Sequence, residues 1–244
     1  MALHMFASLK KPISIHAPLH ALVRPLFTVC AGIALLAGAA LAWAGDVPSE
    51  LVKSSRSHPS SLASLSKEAR QVHAWVVDSG NQQGMPFALI DKTAAQLHLF
   101  DAKGELRASS PVLLGLASGD YSVPGIGERK MSEIRADERT TPAGRFVSEP
   151  GRNLQGQDIV WIEYDTAVSL HRVRAHNSAE RRLQRLASST ASDNRISYGC
   201  VNVPVAFYDR YVAPYWGHQP GVIYVLPETT SAASFFGFDP TVFP

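Results

Sequence analysis

The stretch from Phe87 to Phe100, FALIDKTAAQLHLF, decides the fold class. Its first four residues are apolar, the residues from Asp91 to Thr93 are typical of a turn, and the last five residues alternate in polarity. Two such runs around a turn indicate a β-hairpin. Further strand patterns lie at 106–116, 144–147, 158–163, 167–171 and 221–226. The sequence therefore predicts a mainly β fold.

A few short helices are expected beside the strands, over 66–78, 177–187 and 203–212. Ser66 and Asn177 are the expected N-caps of the first two helices. Residues 118–141 are polar and rich in glycine and charge, which predicts a long surface loop of the functional or mobile kind. The 16 prolines and 17 glycines of the 244-residue chain also favour short elements over a helical bundle.

The N-terminal 44 residues are predicted to be a signal peptide. Basic residues precede an apolar run from Leu26 to Ala42, and small residues flank Trp43, as a signal peptidase that cuts after Ala44 requires. An uncleaved anchor is the alternative. Under either interpretation the rest of the chain is exported, to the periplasm or the cell envelope.

Four segments follow the predicted signal peptide. They are a Ser-rich linker over 45–65, a helix and lead-in over 66–85, the main domain over 86–228 and a tail over 229–244. The tail carries four phenylalanines, which are expected to pack back onto the domain.

Charge and motif content exclude several classes of partner. The chain has 23 Lys and Arg against 21 Asp and Glu, and three of the basic residues lie in the predicted signal, so the mature protein is near neutral. This balance gives no electrostatic case for nucleic acid as a partner. No HxH or HExxH spacing occurs and one thiol remains after cleavage, so neither a metal site nor a cofactor is expected.

The remaining thiol belongs to Cys200, because Cys30 leaves with the predicted signal. A lone thiol in an oxidising compartment is a liability unless it is needed. It is either a catalytic nucleophile or an inert buried side chain, and the cysteine count alone favours neither.

The residues around Cys200 favour the nucleophile. In the segment ISYGCVNVP over 196–204, Asn202 suits an N-cap and Pro204 a first helical turn, so Cys200 is expected just before a helix N-terminus. The positive end of a helix favours the thiolate, and backbone N–H groups there can hold an oxyanion. Gly199 permits the tight turn that such donors need.

A thiol nucleophile needs a base, which is usually a histidine. His171 ends an apolar strand and precedes Cys200 by one predicted helix, so it is the preferred candidate. His176, five residues later, is the second choice.

These residues resemble the catalytic domain of the L,D-transpeptidase (YkuD-type) family. Four ordered motifs over roughly 86–228 carry the resemblance: the opening hairpin, the segment 141–146 (TPAGRF), the pair His171-Arg172 with 197–202 (SYGCVN), and the closing strand 222–227. Two residues depart from the family pattern: Tyr198 replaces a histidine and Arg172 replaces a glycine. The spacing between the two halves of the third motif is also longer than usual.

The resemblance implies a β-sandwich and acyl transfer. Cys200 would attack the diamino-acid carbonyl of a peptidoglycan stem tetrapeptide, His171 would act as the base, and the acyl group would pass to an amine on another stem or on a protein. The N–H groups of Tyr198, Gly199 and Cys200 would form the oxyanion hole.

The resemblance also implies supporting roles. The Arg172 carbonyl would hold the histidine tautomer, and Ser197 and Asn202 would support the turn. Arg145 or the helix arginines, which are Arg181, Arg182 and Arg185, would hold stem carboxylates, although a solvated helix face is the more common role of such arginines. A hydrolase that trims stem peptides and a non-catalytic cell-wall binding protein remain alternatives.

Overall fold

A computed structural model of the protein describes residues 61–243. The predicted signal peptide and most of the predicted linker lie outside these residues. The linker's last residues are folded, because Leu62–Ser64 forms a 3-10 turn and Leu65 is buried. Within the described part, no helix combines the length and the apolar character that crossing a bilayer requires.

Ten strands form the framework of the described structure, and the predicted mainly β fold with a few short helices is confirmed. Eight of them form one sheet in the order β3-β2-β1-β10-β5-β6-β7-β9, and β4 pairs separately with β8. The strands are β1 Phe87–Asp91, β2 Gln96–Phe100, β3 Leu106–Pro111, β4 Leu114–Gly115, β5 Gly144–Arg152, β6 Asp158–Glu163, β7 Val168–Arg172, β8 Arg195–Ser197, β9 Val201–Val203 and β10 Gly221–Val225.

The hairpin predicted over 87–100 is present as β1 and β2, with Phe87 paired to Phe100. The helices are α1 Lys67–Ser79, α2 Arg182–Leu186, α3 Val205–Phe207, α4 Ala213–Trp216 and α5 Ala232–Phe236, with a π-helical turn over Tyr208–Val212 between α3 and α4. Residues 118–141 carry three short 3-10 turns and no strand, as expected of a surface loop.

Strand β5 contributes to both layers of the sheet. Its first half, Gly144–Ser148, pairs with β10, and its second half, Glu149–Arg152, pairs with β6. Apolar side chains from both layers meet in one buried cluster, which includes Ile90, Leu97, Val160, Leu170 and Val201. The two halves therefore pack face to face around a shared core, as in a β-sandwich.

The outer face of the first layer is covered by α1 and the C-terminal tail. Ser66 caps α1 by accepting from the N–H of Ala69 at 3.1 Å, as expected. Trp75 on α1 stacks on Phe236 and Phe238 of the tail, with ring centroids 5.8 and 5.2 Å apart. The tail packs back onto its own domain.

Two helix predictions need correction. The helix predicted from Val203 begins at Val205, because Val201–Val203 pairs with β7 as a strand. The helix predicted over 177–187 is interrupted at Arg181, whose backbone is left-handed with φ 50°, so a 3-10 turn over Ser178–Glu180 precedes α2.

Candidate active site

Strands β7 and β9 run in parallel, with His171 opposite Asn202. Alternate residues of a strand point to the same side, so Ser169 and His171 share one face with Cys200 and Asn202. The contacts agree: Ser169 Oγ lies 3.6 Å from Cys200 Sγ, and Asn202 Nδ2 lies 3.3 Å from His171 Nε2. All four side chains line one cavity of about 370 Å³.

The turn before β9 is fixed by Ser197 and Gly199. The Ser197 hydroxyl donates to the Cys200 carbonyl at 2.6 Å and accepts from the N–H of Gly199 at 3.0 Å. Gly199 has φ +130°, and a Cβ there would lie 2.9 Å from the carbonyl oxygen of Thr140. No residue with a side chain fits this position without strain.

Thr141 also stabilises this turn through hydrogen bonds. Its hydroxyl donates to the Gly199 carbonyl at 2.8 Å and accepts from the N–H of Gly115 at 2.8 Å. Because Thr141 is fully buried, both hydrogen bonds are shielded from water. The TPAGRF segment thereby holds the backbone next to the thiol.

A buried charge network holds the ends of the 118–141 loop. The Lys92 ammonium donates to Asp120 Oδ1 at 2.8 Å and to the Thr141 carbonyl at 3.1 Å, and its side chain has no exposed surface. Burial raises the pKa of Asp120, but hydrogen bonds from Lys92, Thr229 and the Glu228 backbone outweigh it and lower this pKa to about 2. The network holds Thr141 in place beside the turn that carries Cys200.

No helix N-terminus adjoins Cys200, which corrects the sequence expectation. The chain continues from Cys200 directly into β9, and the next helical residue is Val205. A helix dipole therefore does not act on the thiol from this side. The half-buried Sγ instead lies 3.6 Å from both the Ala167 carbonyl oxygen and Ser169 Oγ.

The three N–H groups expected in an oxyanion hole are not equivalent. The Gly199 N–H is already bonded to Ser197. The N–H groups of Tyr198 and Cys200 have no hydrogen-bond acceptor within the described part of the chain. Only these two are free to bind a developing oxyanion.

The tautomer of His171 follows from its contacts. Nδ1 lies 2.7 Å from the Arg172 carbonyl oxygen, which can only accept, so Nδ1 carries the proton and Nε2 carries the lone pair. Burial lowers the pKa of His171 from 6.5 to about 4; the Arg172 carbonyl opposes the shift, and the charges of Arg174 and Arg182 add to it. The ring is neutral at pH 7 and can take a proton at Nε2.

Asn202 is held in one orientation beside this nitrogen. Arg182 Nη1 donates to Asn202 Oδ1 at 2.7 Å, so Nδ2 must face the Cys200 carbonyl, at 3.2 Å, and His171 Nε2. In the described structure no hydrogen bond joins Sγ to a ring nitrogen of His171. Nε2 instead accepts from Asn202.

The side chain of Arg172 has a structural role. It forms ion pairs with Asp158 at 2.9 Å and Asp209 at 2.6 Å, and its guanidinium lies 4.1 Å from the Tyr208 ring centre. It therefore ties β7 to β6 and to the π-helical turn, while its carbonyl faces His171.

The structure does not bring Arg145 or Arg181 to the thiol. Arg145 donates to the Asn81 carbonyl and side chain at 2.8 Å, on the layer that faces α1. Arg181 is exposed and lines a separate polar cavity of about 160 Å³ with Arg185. The arginines in the wall of the Cys200 cavity are Arg174 and Arg182.

Other residues of the site were not singled out from the sequence. Ser169 alternates with His171 along β7, and that alternation was a usable signal. Trp161 and Met131 also line the cavity, as does His176, which the sequence had indicated as the second-choice base. Arg139 stacks on Tyr198, with 3.9 Å between the guanidinium carbon and the ring centre, and no local pattern links two residues so far apart.

Comparisons with known proteins give remote structural similarities. The chain is similar to the helical cell shape determining protein Pgp2 from Campylobacter jejuni (12% identity, 68% of this chain and 58% of that one, TM-score 0.40). It is also similar to Mycobacterium tuberculosis L,D-transpeptidase 1 (16%, 58% and 61%, 0.32). A third similarity is to the catalytic domain of the E. faecium L,D-transpeptidase (16%, 59% and 98%, 0.32).

This chain spans about three-fifths of the length of the mycobacterial L,D-transpeptidases that it matches. No protein-family profile and no curated protein sequence matches it. At TM-scores below 0.5 these similarities carry no argument, so the functional case rests on the geometry around Cys200 and His171.

Proposed function

We propose that this protein is a cysteine acyltransferase that acts on peptidoglycan stem peptides, as an L,D-transpeptidase does. One observation carries the proposal: the partly exposed Cys200 thiol shares a cavity with a neutral His171 whose Nε2 lone pair faces the same side of the sheet. A nucleophile, an uncharged base and a group that orients the base are the minimum for thiol acyl transfer.

The first proposed step is acylation of Cys200. Nε2 of His171 takes the thiol proton while Sγ bonds to the carbonyl carbon of the diamino acid. The N–H groups of Tyr198 and Cys200 donate to the resulting oxyanion. The intermediate collapses, its carbon–nitrogen bond breaks, and His171 returns the proton to the amine of the departing D-residue. A thioester to Cys200 remains.

Deacylation reverses these roles. An acceptor amine attacks the thioester carbon, His171 takes a proton from that amine, and the proton goes back to sulfur as the new amide forms. Hydrogen bonds between catalytic groups are often long in substrate-free sites and tighten on binding. For Nε2 to take the thiol proton, Sγ must leave the Ala167 carbonyl and Nε2 must release the Asn202 amide.

The cavity wall supports an anionic peptide as substrate. Arg174 and Arg182 both line it; Arg182 is ion-paired with Glu180, which lines the same cavity, whereas Arg174 has no carboxylate partner within the described structure. Stem peptides carry carboxylates on the diamino acid and on the terminal D-residue. Arginine binds carboxylates through paired N–H donors, so we place at least one stem carboxylate on this wall.

The test is incubation with a synthetic stem tetrapeptide followed by mass spectrometry. A cross-linked dimer that lacks one D-residue is the expected product, and a shortened monomer alone would indicate a hydrolase instead. Cys200→Ser should abolish product. Tyr121→Ala is the control, since Tyr121 is 76% exposed and does not line the Cys200 cavity, and it should leave the product unchanged. Unaltered turnover by Cys200→Ser would end the proposal.

We also propose export to the cell envelope, in keeping with this substrate. The basic start, the apolar run from Leu26 to Ala42 and the small residues around Trp43 support it. N-terminal sequencing of the protein from an envelope fraction should give a chain that begins at Gly45. Recovery of the uncleaved chain from the cytosol would contradict both export and cleavage.

A further inference from the structure

The side chain of Arg139 lies on the ring of Tyr198, whose backbone N–H is one of the two free donors beside the thiol. The guanidinium carbon is 3.9 Å from the ring centre, well inside the range of cation–π attraction, which is about 6 Å. Tyr198 lines the Cys200 cavity and Arg139 does not. The cation therefore contacts the ring without lining the space that a substrate would fill.

The backbone of Tyr198 makes no hydrogen bond of its own. Neither its N–H nor its carbonyl has a partner within the described part of the chain. Its neighbours are held more firmly, because the Gly199 N–H is bonded to Ser197 Oγ and strand β9 begins one residue after the thiol. The polar contact that the described structure gives Tyr198 is the stack of its ring with the Arg139 guanidinium.

Arg139 is itself anchored in the 118–141 loop. Its Nη2 donates to the Ile134 carbonyl at 3.2 Å, and its own carbonyl accepts from the N–H of Ala117 at 3.0 Å. The preceding residue, Glu138, is buried and paired with Arg129 at 3.0 Å. A cation that is held at its backbone and at its head group loses little further entropy on stacking, so its attraction to the ring restrains the tyrosine.

We propose that Arg139 is a positioning residue of the oxyanion hole: through the ring of Tyr198, it keeps the N–H of that residue directed at the developing oxyanion. This inference rests on the acyltransferase proposed above. The guanidinium touches no reacting atom, and its effect passes through the tyrosine backbone. Donors stabilise an oxyanion best when they are aimed before the charge develops, so a donor that can turn away loses much of its effect.

Two reagents separate this role from a general effect on the thiol. A penem acylates Cys200 through a tetrahedral oxyanion. Iodoacetamide alkylates the same sulfur by displacement of iodide from a methylene carbon, and no oxyanion forms. Both reactions need the ionised sulfur. The ratio of the two rates, followed at pH 7 by mass spectrometry of the Cys200 peptide, therefore reports on the oxyanion hole and not on the thiol.

Arg139→Gln removes the cation but keeps a donor for the Ile134 carbonyl. It should lower the acylation rate about tenfold and leave the alkylation rate within about twofold of wild type. Arg139→Lys, which restores a cation, should recover part of the acylation rate. Lys130→Gln is the matched control, because Lys130 is an exposed cation of the same loop that does not line the Cys200 cavity, and it should change neither rate.

Changes at the ring provide an independent check. Tyr198→Leu removes the aromatic partner and should lower acylation as Arg139→Gln does, and the double variant should be little slower than either single one. Tyr198→Phe keeps the ring and should acylate several-fold faster than Tyr198→Leu. Equal rates for these last two variants would assign the effect to the hydroxyl group and overturn the proposal.

Two other results would also overturn it. A proportional fall of both rates in Arg139→Gln would show a structural role, and an unchanged acylation rate would show no role at all. The acyltransferase would survive either result, because wild-type Cys200 would still be acylated and the tetrapeptide would still be turned over. A wild-type Cys200 that the penem does not acylate would remove both proposals.

Discussion

The reaction of the Cys200 thiol should persist to a much lower pH than it would with a histidine base of ordinary pKa. Burial lowers the pKa of His171 from 6.5 to about 4, and the proposed reaction needs the neutral ring. At pH 5 a histidine with the ordinary pKa is about 3% neutral, whereas one with a pKa near 4 is about 90% neutral. The structure therefore gives about thirty times more competent base at pH 5.

The assay is the rate of covalent modification of Cys200 by a penem, followed by intact-protein mass spectrometry from pH 3.5 to pH 7. The rate should stay near its plateau down to about pH 5 and reach half its value close to pH 4, the pKa of His171. His171→Gln should be slow at every pH and should lack this inflection. A wild-type midpoint near 6.5 would refute the assignment of the buried imidazole as base.

A variant that removes one positive charge tests the cause of the lowered pKa of His171 in the same assay. The positive charge of Arg182 is one cause of the lowered pKa of His171, so Arg182→Met should move the inflection to higher pH. Arg185→Met is the matched control, because Arg185 lies on the same helix α2 but does not line the Cys200 cavity. Equal displacement in both variants would show that helix disruption, rather than charge, is responsible.

Three further outcomes follow from contacts described above. Gly199→Ala should reduce the modification rate of Cys200 by at least about tenfold, because the new Cβ would collide with a backbone oxygen and the backbone φ at this position is unfavourable for alanine. A wild-type rate would contradict the turn geometry. Lys92→Met should cost about 3–5 kcal/mol in the free energy of unfolding measured with urea, because it leaves the buried Asp120 carboxylate without its cation, and a loss below about 1 kcal/mol would show that the network is solvated. The free energy of unfolding should fall as pH drops from 6.5 towards 4, since burial lowers the folded-state pKa of both His98 and His171 to about 4. Each histidine contributes up to about 3 kcal/mol of stability above pH 6.5, and this contribution is lost on protonation. His98→Gln should remove about half of the fall, and an unchanged pH dependence in that variant would contradict the burial argument.

Features with a strong local pattern could be predicted from the sequence. The hairpin of β1 and β2 follows from alternation around a turn, and α1 follows from an N-cap at Ser66 and an apolar stripe. The positions of His171 at a strand end and of Gly199 in a tight turn also follow from short-range rules. These signals depend only on neighbours in the chain.

The start of the helix after Cys200 was mispredicted because a long-range pairing decides it. Asn202 and Pro204 carry local signals for a helix start, but Val201–Val203 pairs with β7 and the strand prevails. The Asn202 side chain is then used by Arg182 and His171 and is not available as a cap. Tertiary pairing overrides local propensity at this point.

The substrate-binding arginines could not be identified from the sequence for a related reason. Arg145 lies on a predicted strand, but alternation does not tell which of two covered faces a residue occupies. Arg181 and Arg182 are neighbours in the chain, and the left-handed backbone at Arg181 decides which one enters the cavity. No local pattern predicts that backbone angle in an arginine.

The parallel pairing of β1 with β10 has a consequence for how the chain matures. The first and last strands of the domain lie side by side in the middle of the sheet, with Phe87 opposite Val222. The interior cannot close until the C-terminal strand has left the ribosome, so folding during synthesis is blocked and contact order is high. A polypeptide that stays unfolded until it is complete is the form that a translocation pore can thread.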